Sequence, residues 1–254
     1  MNLDFKNLKV AREKLGESEG RMDFLFDRIR RELETRIKER QTNAERALVI
    51  DFDNGNFRFV GAHVVEQFSL LEQPSLSKPL LVEHEDQSFD AIVVIAQTSW
   101  LDFSELLDES VRVLRPGGMF YFTAFGPETL AELGYAWHLT DVSPHMHELI
   151  DMHFLGDALV KRGLQKPIVD TDWLTVEYPT VETLLDDLKD EGFVNLREDR
   201  RKVLTGRERF DQFKKALWDN FNRDNVLPIS FEIIYGFGQV PENTTAVRVM
   251  APTR

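Results

Sequence analysis

Residues 89–95, Phe-Asp-Ala-Ile-Val-Val-Ile, make an almost unbroken apolar run of one strand's length. A strand that is apolar on both sides belongs inside a sheet covered on both faces, which points to parallel pairing with flanking helices. The next residues complete the pattern. Residues 103–114 carry apolar side chains at helical spacing, Arg115-Pro116-Gly117-Gly118 ends the helix, and residues 119–125 are a second apolar run. Strand, helix, glycine stop and strand form a βαβ unit with parallel strands and a right-handed crossover. Residues 47–50, closing on Asp51, are a further buried strand of the same type. The chain is predicted to be an α/β protein.

With 254 residues, 42% of them apolar, it can bury one large α/β domain or one domain with a small appendage. Residues 21–41 place Met22, Leu25, Phe26, Ile29, Leu33 and Ile37 along one helical stripe. A break at residues 16–20 sets residues 1–20 apart as an N-terminal segment that either lies over a site or docks on the core, leaving a domain of residues 21–254. Further on, residues 126–137 read as a helix with Pro127 in its first turn. Residues 151–163 read as a helix capped by Asp151 and ended by Gly163. Residues 173–178 alternate as a strand, 181–190 are helical, and residues 229–237 with 246–250 are predicted to form a terminal antiparallel pair.

Zero cysteines exclude disulfides, thiolate catalysis and thiolate metal sites. The 31 lysines and arginines against 44 acids give a formal charge of −13, which disfavours long-range attraction of nucleic acid or anionic membrane. No signal-peptide core and no apolar run long enough to span a bilayer is visible, so a cytoplasmic protein is expected. The Gly-x-Ser-x-Gly elbow, the Walker loop and His-Glu-x-x-His are missing as well. His145, His147 and His153 beside Asp141, Glu148 and Asp151 could suggest a metal cluster, but capping and packing are the default and no metal is assigned.

The phrases "VLRPGG", after a helix and before a strand, and "FTAFGPETLAEL" carry a resemblance. With "IDMHFLGDALVKRGLQKPIVD" and "LLDDLKDEGFVNLREDRRKVLTGRERF" they resemble class I S-adenosylmethionine-dependent methyltransferases. The branch is that of the malonyl-carrier-protein O-methyltransferases of biotin synthesis and the related assembly factors of respiratory complex I. The resemblance covers roughly residues 85–240. It implies a Rossmann-like, doubly wound sheet, with a helical and β insertion over the sheet's C-terminal edge and a substrate-side portion at about 126–228. It also implies S-adenosylmethionine as cofactor, held near Asp51, Asp53, Gly55, Glu85, Asp86 and Gln97. An acyl-carrier protein, or an intact methyltransferase homologue, is the implied partner.

The cofactor half departs from the family pattern, in which an acid after strand one is followed by three glycines at alternate positions. Counting from Asp51, those positions hold Asp53, Gly55 and Phe57. Asp53 adds negative charge beside the cofactor carboxylate, and Phe57 fills space that the ligand needs. The family's strand one reaches its strand four through two more strands and their crossovers, on the order of 60 residues. Residues 47–94 leave too little chain for that, so one crossover must be truncated and the N-terminal half is reduced. Residues 57–63 and 79–83 are the strand-like stretches between. Ile95 stands where an asparagine is usual, while Trp100 matches the family's tryptophan.

On the substrate side, Tyr135, Trp137 and Tyr178 either line an acyl pocket or pack in the core. Residues 195–209 carry six basic residues against three acids, so Arg200 and Arg201 could contact a carboxylate or an acidic carrier protein. Two functions follow as expectations: a non-catalytic binding, scaffolding or regulatory relative, and an active carboxylate O-methyltransferase acting on a malonyl thioester. The complex I branch adds protein modification other than methylation.

Overall fold

The computed structural model describes residues 23–51, 57, 59, 61–69, 81–96, 101–146, 148–190, 193, 195, 200, 203 and 205–242. They form helix α1 (Asp23–Glu39), strands β1 (Ala44–Asp51), β2 (Ala62–Ser69) and β3 (Phe89–Val94), helix α2 (Phe103–Val113) and strand β4 (Leu114–Phe125). Helices α3 (Ala131–His138) and α4 (Met152–Lys161), strand β5 (Gln165–Tyr178), helices α5 (Val181–Asp190) and α6 (Arg207–Phe221), and strand β6 (Leu227–Gln239) follow.

The six strands make one sheet in the order β2-β1-β3-β4-β6-β5. The first four are parallel, and β6 runs antiparallel between β4 and β5. Burial explains the central strands: Ala47 to Ile50 and Ala91 to Val94 are wholly inaccessible. Alternate residues feed two cores. On one face, β-strand residues meet α1, α3, α5 and α6, and on the other they meet α2 and α4. Leu25, Ile29, Leu33 and Ile37 of α1 are buried, as the stripe predicts.

Helix ends follow the expected chemistry. The Asp102 carboxylate accepts from the backbone N–H groups of Ser104 and Glu105 at the start of α2, and Asp151 accepts from that of His153 at the start of α4. Gly163 closes α4 with a φ of +75°, a conformation that favours glycine. The Arg115-Pro116-Gly117-Gly118 stretch leaves the ladder, since Phe89 pairs with Leu114 and Ala91 with Met119.

Two expectations are corrected. The helix expected at 126–137 begins only at Ala131, because residues 126–130 are turned back onto β6. The strand between β1 and β3 lies at Ala62–Ser69, outside most of 57–63 and all of 79–83. Phe57 and Phe59 belong instead to the core on the α1 face. Residues 246–250, expected to pair with β6, lie outside the described residues.

The truncated crossover is the first. Asp51 ends β1, Ala62 starts β2, and ten residues, 52–61, join them. The two strands are parallel and pair along their whole length, Ala44 with Ala62 through Asp51 with Ser69. The connection must therefore return the length of an eight-residue strand, about 26 Å. Ten residues of α-helix rise only about 15 Å, so a helical crossover is too short for this return.

Candidate functional site at the carboxyl edge

After β1 the chain moves outward to β2, and then returns to the other side of β1 to place β3. The point between β1 and β3 is thus a topological switch point, where the carboxyl ends of doubly wound strands leave a crevice for ligands. Asp51 ends β1 there and is 2% exposed. Opposite it, Ile95 donates its N–H to the Ile50 carbonyl, 2.9 Å. The next residue, Ala96, has a φ of +52°, strained for a side chain with a Cβ, and its N–H is held by the buried Thr123 hydroxyl at 2.8 Å.

The group against Asp51 is an arginine from α1. Arg30 donates from Nη2 at 3.0 Å and from Nε at 3.3 Å to the same carboxylate oxygen, Oδ2. The side chains are 13% and 3% exposed, so this is a largely desolvated ion pair. Arg30 lies four residues after Phe26 and three before Leu33, within the apolar stripe of the helix. An arginine at such a position is the signal that sequence reasoning passed over.

Farther along the edge, the end of β4 is packed with aromatic rings. Phe125 lies 6.2 Å from Phe26 and 5.2 Å from Phe193, both edge-on, and Phe231 closes the group at 6.5 Å from Phe125. The FGPET turn is tied to β6 beside them. Glu128 donates its N–H to the buried Glu232 carboxylate at 2.9 Å, Thr129 Oγ1 donates to the Glu232 carbonyl, and Gly126 donates to the same carbonyl. A Cβ on Gly126 would meet the Glu232 carboxyl carbon at 2.2 Å, so this approach requires glycine.

Among the described residues, the expected site residues do not converge. Asp53, Gly55, Gln97, Trp100 and Arg201 lie outside the described residues. Glu85 and Asp86 precede β3 at the amino edge, where Asp86 accepts from Arg112 at 2.6 Å, so the length of a strand separates them from Asp51. Arg200 is half-buried. Tyr135 is exposed, edge-on to Phe221 at 5.5 Å. Tyr178 is buried in the core and not on a surface that a ligand could reach.

Trp137 is half-buried, with both faces of its indole covered. Phe213 of α6 stacks on one face of the indole at 3.9 Å and 10°, and His145 stacks on the other at 3.7 Å and 5°. With both faces covered, it is a packing residue and not a wall of an acyl pocket. His145 Nε2 contacts Asp141 Oδ1 at 2.8 Å, and Arg209 Nε lies 3.6 Å from Oδ2. Burial pushes the Asp141 carboxyl up, but hydrogen bonds from His145 and the Ser143 N–H, with the His145 and Arg209 charges, more than offset it. Its pKa is held below the ordinary carboxylate value, so the stability it contributes is present above that value and lost as pH falls through the lowered one. Asp141→Asn is expected to flatten the acid limb of a stability-against-pH curve below about pH 4, while an unchanged limb would assign that loss to other carboxylates. His147 lies outside the described residues, and among those described no group of three or more metal-ligating side chains forms.

The sheet order and switch point define a Rossmann-like, doubly wound α/β fold. Residues 37–122 match a family model described as a methyltransferase domain. The chain is homologous to curated malonyl-[acyl-carrier protein] O-methyltransferases. It is 34% identical to that of Nitrosospira multiformis over 58% of this chain and 47% of the relative, and 37% identical to one from Coxiella burnetii over 59% and 53%. The chain therefore spans about half the length of the curated relatives it matches. Among solved structures, the YcgJ protein of Bacillus subtilis aligns with a TM-score of 0.46 at 17% identity, over 83% of this chain and 98% of that one. Among the described residues no helix is long and apolar enough to cross a membrane.

Proposed function

We propose that this chain is a methyltransferase-like binding or regulatory subunit that has lost ordinary S-adenosylmethionine binding and works with an acyl-carrier protein or an intact methyltransferase homologue, in the cytoplasm. The observation that carries this reading is the ten-residue connection between β1 and β2. A glycine loop opening a helix needs the crossover that this connection is too short to provide. The Arg30–Asp51 pair and the burial of Phe57 support the same reading. The residues present do not fit the cofactor. Homology to carrier-protein methyltransferases and the basic residues at 195–209 support a carrier protein or a homologous enzyme as partner.

The alternative, an active carboxylate O-methyltransferase acting on a malonyl thioester, is favoured by the activity for which the relatives are named. Such a transfer needs mainly positioning, since a carboxylate is already nucleophilic. The readings separate in an assay with isotopically labelled S-adenosylmethionine and malonyl-carrier protein. The chain alone is expected to form no methyl ester, and added to an intact malonyl-carrier-protein methyltransferase it is expected to change that enzyme's rate. Ester formation by the chain alone establishes the alternative.

A further inference from the structure

The crevice at the switch point is where a doubly wound sheet receives its ligand, and Arg30 is the group that meets Asp51 there. We propose that Arg30, carried by the face helix α1, is a built-in occupant of this end of β1, its guanidinium serving as the cation held by the buried Asp51 carboxylate in place of a dissociable ligand. This rests on the reading that S-adenosylmethionine is not used, and it names what stands at the site instead.

A buried carboxylate is costly unless a cation or hydrogen-bond donors answer it. A dissociable ligand answers it only while bound, whereas a side chain of the same polypeptide answers it always. The helix is fixed along its length. Arg28 reaches Asp172 at 3.3 Å, Arg36 reaches Asp170 at 2.6 Å, and the Arg36 guanidinium lies 4.3 Å over the Tyr235 ring. Its apolar stripe is buried, and Phe26 sets its edge against Phe125 at the same end as Arg30. Moving α1 off the sheet face would expose that stripe and separate ion pairs to β1 and β5 together, so Arg30 stays at Asp51.

Chemical rescue tests this directly. Arg30→Ala is expected to lower the thermal midpoint by about 10 °C, because it removes the cation paired with a buried carboxylate. Millimolar ethylguanidinium should then recover much of that loss. The Arg30→Ala, Asp51→Asn double variant should be more stable than the single variant and insensitive to ethylguanidinium. A native midpoint for Arg30→Ala, or equal recovery of both variants by ethylguanidinium, overturns the proposal. If Arg30→Ala does not fold, the cycle is run with Arg30→Lys and Asp51→Asn, where coupled effects support the pairing and additive ones overturn it. Rescue reads the Arg30–Asp51 pairing whether or not the native chain binds S-adenosylmethionine, so the function reading can fail separately.

Discussion

Phe57→Ala is expected to cost about 4 kcal/mol of folding stability, a fall of about 10 °C in Tm, and to gain no affinity for S-adenosylmethionine. The family pattern after strand one wants a glycine at this position, so a purely sequence-based repair would shorten Phe57 to reopen the cradle. The structure gives the side chain another role. It is 4% exposed and sits in the same core as Leu25, Ile29 and Leu33 of α1. Truncation leaves a cavity that neighbouring side chains fill only in part. Denaturant titration of Phe57→Ala, with cofactor titration at each stage, reads both expectations. A stable variant that binds the cofactor would restore Phe57 to a ligand-facing position.

Trp137→Ala is expected to cost about 3 kcal/mol and to loosen the attachment of residues 139–146 to α6. The indole is the middle layer of a three-ring stack, so its loss removes the packing of both Phe213 and His145. His145 would then lose the surface that holds it against Asp141, and the acid-side contribution of that carboxylate should shrink with it. Trp137→Phe should retain about half the stability, since a smaller ring can still stack. Unfolding curves measured at neutral and acid pH distinguish this from simple volume loss. Equal destabilisation at both pH values would mean that Asp141 does not depend on the stack.

The central sheet was legible because β3 and β4 are apolar on both faces, a pattern with few other uses. Asp151 was readable as a cap for a local reason, the need of a helix's first N–H groups for an acceptor. Strand β2 was not readable. It is an edge strand with Val64 and Val65 partly exposed on opposite faces, so Ala-His-Val-Val-Glu-Gln-Phe-Ser shows neither a buried run nor a clean alternation. Phe57 and Phe59 looked more strand-like because they alternate, yet they are buried in the core on the α1 face without forming a strand.

The site was legible in part. Asp51 was located correctly at the end of its strand, and chain length alone required a truncated crossover. The partner of Asp51 comes from a helix that precedes the strand, and the Trp137 stack joins α3, α6 and the chain after α3. Such pairings are fixed by tertiary packing, so spacing along the chain does not reveal them. Glu85 and Asp86 show the reverse case. They are suitable acids close in sequence to β3, but strand direction puts them at the opposite edge.

Titration calorimetry of the native chain with S-adenosylmethionine and S-adenosylhomocysteine tests loss of the cofactor site most directly. A site where Arg30 holds Asp51 and a ten-residue connection follows β1 should give no saturable binding up to millimolar concentration. Micromolar binding of either compound would contradict it and return the chain to the active carboxylate methyltransferases.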